Sequence, residues 1–169
     1  MKYTEFTIID DSGLLSLVDC AAYASFISSD WTYEDIIAHF EKAMESKAMV
    51  VWDCGDGGDE YLVVAREGIT TAPGFREEFG AIRVGDHGLH LVSYDALTMA
   101  AQFDDETLPS KFERKNCIEL PAGEYRLRVV QTYDPFQVTP SADGAPHFIV
   151  EYESGRADGW GQVAWLRSS

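Results

Sequence analysis

The feature that most constrains this fold is the alternation of apolar and polar residues, which recurs in short segments along most of the chain. Such alternation is typical of β-strands that bury one face. Clusters of Gly, Asp and Pro separate the segments and favour tight turns. The pattern predicts four β-hairpins, at residues 4–20, 48–67, 79–95 and 117–134, followed by two further strands at 147–153 and 161–167. In the fourth hairpin, Tyr125, Leu127 and Val129 share one face.

Two segments depart from this alternation and predict helices. Residues 32–47 place apolar side chains at helical spacing, and Thr32 with Asp35 three residues later is typical of a capped helix start. A second, shorter helix is predicted over 95–103, with Asp95 as its cap. The fold class that follows is mainly β (α+β). We expect an antiparallel β-sandwich or curled sheet that the principal helix covers on one face or at one end.

The chain is long enough to build its own core. It has 169 residues, of which 46% are hydrophobic, so it needs neither disulfides nor a metal ion for stability. We expect a single domain over residues 1–169, either undivided or composed of two β-rich halves, 1–70 and 75–169, that share one core.

Charge gives the clearest indication of a partner. The sequence contains 29 acidic and 13 basic side chains, a formal net charge of −16, and its first 60 residues carry 13 of the acidic side chains against three lysines. Such a field repels nucleic-acid phosphates and anionic membranes, and it attracts basic proteins. We therefore expect a basic protein partner, no nucleic acid and no membrane. Oligomeric state is left open.

Cysteine usage and the N-terminus indicate the compartment. Cys20, Cys54 and Cys117 are widely spaced and do not form the pattern of a disulfide framework. The first residues lack the apolar run of an export signal, and no apolar run approaches the roughly 20 residues of a membrane span. These features predict a cytoplasmic protein.

The segment DCGDGGDE carries the densest cluster of chemical groups, with Asp53, Asp56, Asp59 and Glu60 within eight residues. Its spacing differs from that of the standard calcium loop, and no Glu follows at the twelfth position. The surrounding acids would raise the pKa of Cys54 and suppress a reactive thiolate. The favoured interpretation is a glycine-containing hairpin turn with an acidic tip. Asp104, Asp105 and Glu106 form a second candidate acidic tip, on a polar loop over 104–116.

Catalytic motifs are lacking in the sequence. It has no nucleophile elbow, phosphate-binding loop, zinc-protease motif or paired-cysteine motif. His87 and His90 could begin a metal site only if further ligands came from elsewhere. We therefore expect a protein that is not an enzyme, with no catalytic residue, no cofactor and no metal ion.

Three stretches carry a resemblance to known groups of proteins. GLHLVSYDALTMA and the later NCIELPAGEYRLRVV resemble the C-terminal segment of bacterial immunity proteins from polymorphic toxin systems. The N-terminal FTIIDDSGLLSLVDCAAY is similar to the opening of related uncharacterised bacterial proteins. The matching residues are Leu91, Tyr94, Asp95, Ile118, Leu120, Pro121, Gly123, Tyr125, Arg126 and Leu127. The resemblance implies a cytoplasmic inhibitor of a cognate toxin and no catalytic residue.

Together these observations favour a non-enzymatic acidic binding protein, with an immunity protein that inhibits a basic toxin as the leading hypothesis. In that case the carboxylates of the two acidic tips would imitate phosphates. The alternative is a small-molecule or divalent-cation binding domain that uses a cavity between the sheets or the aspartate-rich loop. An enzyme whose active site has no familiar motif is the third hypothesis.

Overall fold

A computed structural model of the chain describes residues 3–55, 59–136, 144–159 and 161–166. The described residues form nine strands and two helices. Their bounds are β1 Tyr3–Asp10, β2 Leu14–Val18, α1 Tyr33–Glu45, β3 Met49–Asp53, β4 Asp59–Glu67, β5 Arg76–Val84, β6 Leu89–Ser93, α2 Tyr94–Gln102, β7 Cys117–Ile118, β8 Gly123–Gln131 and β9 Phe148–Ser154.

The described strands form two sheets. One has five strands in the order β1-β4-β9-β8-β5, and the other has four in the order β3-β2-β6-β7. Neighbouring strands are antiparallel except β4 and β9, which run parallel. The predicted mainly β, α+β class is confirmed. Buried side chains from both sheets belong to one hydrophobic core, in which the Trp52 and Phe148 rings lie 5.9 Å apart.

All four predicted hairpins are wrong, because each of the short turns carries the chain from one sheet to the other. β1 and β2 lie in different sheets, and so do β3 and β4, β5 and β6, and β7 and β8. A glycine-containing turn between alternating segments is compatible with a hairpin and equally with a crossing between two facing sheets. The strand predicted over 161–167 is also wrong: Ala164 forms a single bridge with Trp52, and residues 161–166 belong to no strand.

Helix α1 follows the prediction closely. The Thr32 side chain accepts a hydrogen bond from the Asp35 N–H, and the Asp35 carboxylate accepts one from the Thr32 N–H. This capping box satisfies two backbone donors that would otherwise lack partners. The apolar side of α1 is buried next to β3. Its fully buried side chains are Ile36, Phe40 and Met44.

Helix α2 begins one residue earlier than predicted and is capped by Ser93, whose hydroxyl accepts a hydrogen bond from the Ala96 N–H. The prediction of Asp95 as the cap is therefore wrong, and Asp95 lies in the first helical turn. α2 packs against β6 and β2. Because helices cover the four-stranded sheet on one side and the other sheet covers it on the opposite side, every residue of β2 and β3 is buried.

A row of alternating charges crosses the outer face of the five-stranded sheet. Glu151 on β9 has no exposed surface, and its carboxylate accepts hydrogen bonds from Arg66 on β4 at 2.7 Å and from Arg128 on β8 at 2.8 Å. Arg128 also pairs with Glu77 on β5. Thr70 donates to Glu151 through both its N–H and its hydroxyl, which anchors the connection between β4 and β5 over this row.

These hydrogen bonds determine the ionisation of Glu151. Burial acts to raise the pKa of this carboxyl, but the donors on Arg128, Thr70 and Arg66 outweigh it and hold the pKa at about 2, below the ordinary 4.5. A depressed pKa stabilises the folded chain above the ordinary value, and that stabilisation is lost as pH falls towards the folded value.

We expect Glu151→Gln to lower the free energy of unfolding by about 3 kcal/mol at neutral pH, because it removes the carboxylate that pairs with the buried Arg128 and the partly buried Arg66. In urea titrations from pH 6 to pH 2, the free energy of unfolding of the wild-type protein should fall towards that of the variant between pH 4.5 and pH 2. The matched control is Glu153→Gln on the same strand, which breaks only the exposed pair with Arg126 and should cost less than about 1 kcal/mol. Equal effects of the two substitutions would contradict this account.

Candidate functional site

A groove of about 540 Å³ lies beside the end of β1. We call it the acidic groove. Three parts of the chain form its walls. One is the end of β1 together with the start of β4, the second is the first turns of α2, and the third is segment 104–116. Its lining residues are Thr7, Ile8, Ile9, Asp11, Glu60, Ser93, Asp95, Ala96, Met99, Glu106, Thr107, Ser110, Phe112, Glu113, Lys115 and Asn116.

Negative charge dominates this groove. Among the side chains that the structure describes, five carboxylates line it, from Asp11, Glu60, Asp95, Glu106 and Glu113, against the single cation of Lys115. Glu60 and Glu106 were predicted in two separate acidic tips, and the structure brings them to one surface. The other three carboxylates were missed, because only the packing of β1 beside α2 and segment 104–116 places them together.

Apolar side chains are exposed between these charges. Ile9 exposes 63% of its surface, Met99 46% and Phe112 83%, and all three line the acidic groove. Exposed aromatic and aliphatic side chains that cluster within a polar rim are typical of protein-binding surfaces. The groove therefore combines an apolar contact area with an electrostatic preference for cations.

Segment 104–116 is held in place by Glu113. Its carboxylate is almost fully buried and accepts hydrogen bonds from the Ser93 N–H and the Ser110 hydroxyl, both at 2.9 Å. Asn116 is also buried, and its carbonyl accepts the Leu91 N–H. The sequence predicts a polar loop over 104–116, and these two polar side chains of it are buried. One wall of the groove is thus tied to the start of α2.

The turn after β1 adjoins the groove through Asp11. Asp10 is fully buried, and its carboxylate accepts the N–H groups of Ser12 and Gly13. The Ser12 hydroxyl then donates to Asp95 at 3.0 Å, which links this turn to α2. Burial raises the pKa of Asp10 to about 6. The hydrogen bonds from the Ser12 and Gly13 N–H groups act to lower this pKa, and the negative charges of Asp95 and Asp11 act to raise it.

Of the remaining predicted site residues, those whose side chains the structure describes are absent from the groove lining. Asp53 is buried at the end of β3, where its carboxylate accepts the Gly55 N–H at 2.7 Å, so it is not part of an exposed tip. Asp56 and the side chain of Asp59 lie outside the described residues. Asp104 and Asp105 are exposed on segment 104–116 beside the groove.

Other chemistries find little support in the described ranges. No group of three or more His, Cys, Asp and Glu side chains there is arranged to hold a metal ion. Burial raises the pKa of the Cys54 thiol well above its ordinary value, with Asp10 and Asp53 adding to the effect, so the thiol stays protonated at neutral pH. Neither α1 nor α2 is long and apolar enough to span a bilayer.

Comparison with known proteins rests on structure, since no protein-family model and no curated protein matches this sequence. The solved structure described as crocagin biosynthetic gene J is similar, with a TM-score of 0.62 and 13% sequence identity over 92% of this chain and 98% of that one. ComJ from Bacillus subtilis, an inhibitor of the DNA-degrading activity of NucA, is similar with a TM-score of 0.51 and 14% identity. That match covers 92% of this chain and 96% of ComJ. The TM-scores show that the three proteins have a similar fold, and the low sequence identities show no closer relationship.

We expect Asp10→Asn to stabilise the protein increasingly as pH rises. The Asp10 carboxyl keeps its proton up to about pH 6 in the folded chain but ionises near the ordinary 3.8 when unfolded, so the wild-type protein loses stability as pH rises between these two values and the loss is constant above them. The unfolding temperature of the variant relative to wild type should therefore rise between about pH 4 and about pH 7 and then level off, by the equivalent of about 3 kcal/mol in all. Thermal unfolding followed by circular dichroism measures this. Asp11→Asn, on the exposed neighbour, is the control, and a pH-independent difference for Asp10→Asn would contradict the assignment.

Proposed function

We propose that this protein is a non-enzymatic inhibitor that binds a basic, DNA-degrading nuclease through the acidic groove. The observation that carries this proposal is the set of five carboxylates around exposed Ile9, Met99 and Phe112, with one lysine among them. Nucleases that act on DNA contact its phosphates with cationic side chains. A surface that combines fixed carboxylates with apolar anchors is complementary to such a site.

Two further facts support the proposal. The net charge of −16 favours rapid encounter with a cationic protein and disfavours contact with DNA. ComJ, which has the same fold, is an inhibitor of the nuclease NucA. On this proposal the inhibitor acts in the cytoplasm and protects DNA by occupying the nuclease surface that would otherwise contact phosphates. One folded domain is sufficient for that role.

We expect the wild-type protein to stop plasmid degradation by its cognate nuclease at a 1:1 ratio. The enzyme is obtained by affinity capture from the source bacterium, identified, and purified separately before the assay. The variant Asp11→Lys, Glu60→Lys, Glu106→Lys reverses three exposed charges at the groove. It should bind the nuclease about 100-fold more weakly, since each exposed ion pair contributes up to about 1 kcal/mol.

The matched control is Glu45→Lys, Asp86→Lys, Asp158→Lys, which makes the same change in net charge at exposed positions outside the groove lining. This control should inhibit almost as well as wild type at physiological salt, because distant surface charges are screened. If both variants lose inhibition equally, overall charge and not the groove is responsible. If the purified chain inhibits no nuclease that it captures, the proposal is wrong.

A further inference from the structure

Strand β1 forms one edge of the five-stranded sheet, and no strand of the described residues pairs with its outer side. The direction of its backbone groups follows from its neighbour β4. Thr7 lies opposite Leu62, and both backbone groups of Leu62 bond to His147 on the far side, through His147 Nδ1 at 2.9 Å and the His147 N–H at 2.8 Å. Thr7 and Leu62 are therefore a pair without mutual hydrogen bonds, so the Thr7 N–H and C=O point to the outer edge.

Alternation along the strand extends this result to every second residue. The N–H and C=O groups of Tyr3, Glu5 and Ile9 point to the same outer edge as those of Thr7. Among the described residues, one hydrogen bond to these groups is found, from the Asn116 side-chain amide to the Thr7 carbonyl at the long distance of 3.5 Å. β1 thus presents a row of backbone donors and acceptors with a single weak side-chain partner.

At β3, which is an edge strand of the other sheet, the backbone has partners on its outer side. Ala164 bonds to it twice, accepting the Asp53 N–H at 2.9 Å and donating to the Val51 carbonyl at 3.0 Å. β1 pairs with β4 without interruption over eight residues and contains no proline, glycine or lysine. Proteins usually protect a long regular edge with such residues, with bulges or with a covering segment. In the part of the chain that the structure describes, the Asn116 amide is the one group bonded to this edge, and an edge of this length is a site where another strand can pair.

Space and charge along this edge define what can occupy it. The acidic groove adjoins Thr7, Ile9 and Asp11. A second depression of about 600 Å³ adjoins Tyr3 and Thr4 and is lined by Arg114 and Lys115, so the preference for cations is confined to the end of the edge near Ile9. An added strand would run about 4.8 Å from β1 and advance about 3.3 Å per residue. Every second side chain of such a strand near Ile9 would meet the groove carboxylates.

We propose that the outer edge of β1 accepts an extended segment of a partner protein as a sixth strand, with lysine or arginine side chains of that segment over the acidic groove. This inference deepens the proposed function and rests on it only for the identity of the partner. Backbone hydrogen bonds to Thr7 and Ile9 supply affinity, and the charged groove supplies selectivity. The Asn116 amide leaves the Thr7 carbonyl when the segment binds.

We expect a labelled octapeptide of alternating lysine and valine to bind, and the same peptide with glutamate in place of lysine not to bind. A lysine–valine peptide that is N-methylated at alternate backbone positions should also fail, because it cannot pair at an edge. Fluorescence anisotropy measures all three. Binding of the glutamate or the N-methylated peptide as tightly as the parent, or no binding by any peptide at millimolar concentration, would overturn the proposal.

Variants of Ile9 separate the backbone from the side chain. Ile9→Pro removes the outward N–H and replaces the isoleucine side chain. It should fold, as prolines on the solvent side of edge strands do, and weaken binding of the lysine–valine peptide about tenfold. Ile9→Ala keeps the N–H and should change binding less. Hydrogen exchange of the wild-type Thr7 and Ile9 amides, which should slow when the peptide is bound, provides a readout that does not depend on either variant. Unchanged exchange would overturn the proposal.

The same exchange measurement distinguishes this inference from the proposed function. If the peptide protects the Thr7 and Ile9 amides but the chain inhibits no nuclease, strand pairing stands and the nuclease proposal fails. If a nuclease is inhibited while both amides continue to exchange freely, inhibition stands and strand pairing is overturned.

Discussion

The buried carboxylate of Glu151 is the interaction on which the five-stranded sheet depends most. It joins arginines of the two neighbouring strands, and through Arg128 the row of charges reaches Glu77. The row therefore links four of the five strands, β4, β9, β8 and β5, side by side. A buried carboxylate is costly unless several donors surround it, and here two arginines and Thr70 do so. Such a row forms only when these strands have their native order and register. It therefore disfavours other pairings as well as stabilising the native one.

The crossing of the chain at each short turn imposes a second constraint. Because sequence neighbours such as β1 and β2 lie in different sheets, most strand pairing joins segments that are far apart in the sequence. The pairing of β2 with β3 spans α1, and that of β4 with β9 spans most of the second half of the chain. Loop-closure entropy must be overcome before these contacts form, so folding of such a topology is slow compared with that of a hairpin-rich sheet.

Local features were predictable from the sequence, and pairings were not. The capping box at Thr32 and the buried side of α1 depend on residues within a few turns, and both agree with the structure. The common face of Tyr125, Leu127 and Val129 depends only on alternation, and all three are buried. A period of two, however, indicates which face of a strand is buried and not which strand lies beside it. The four predicted hairpins failed for this reason.

The candidate site shows the same division. Acidic character was evident from composition, and Glu60 and Glu106 were recognised, but nothing in the sequence indicated that positions 46 residues apart share one groove. Asp53 appeared equivalent to Glu60, yet the end of β3 turns its carboxylate to the Gly55 N–H. Ile9 is exposed because it alternates with Phe6 and Ile8, which face the core, but the pattern did not indicate which residues surround it.

Segment 104–116 contributes Glu106, Phe112 and Lys115 to the groove, but it belongs to neither sheet and is anchored mainly through Glu113 and Asn116. Its exposed side chains can therefore change without disturbing the strands, the charge row of Glu151 or the core. The opposite wall, formed by the end of β1 and the start of β4, has far less freedom, because its register is set by pairing. A family of proteins with this arrangement could diversify its choice of partners by substitutions in one surface segment, while the strand edge that any partner would meet stayed the same.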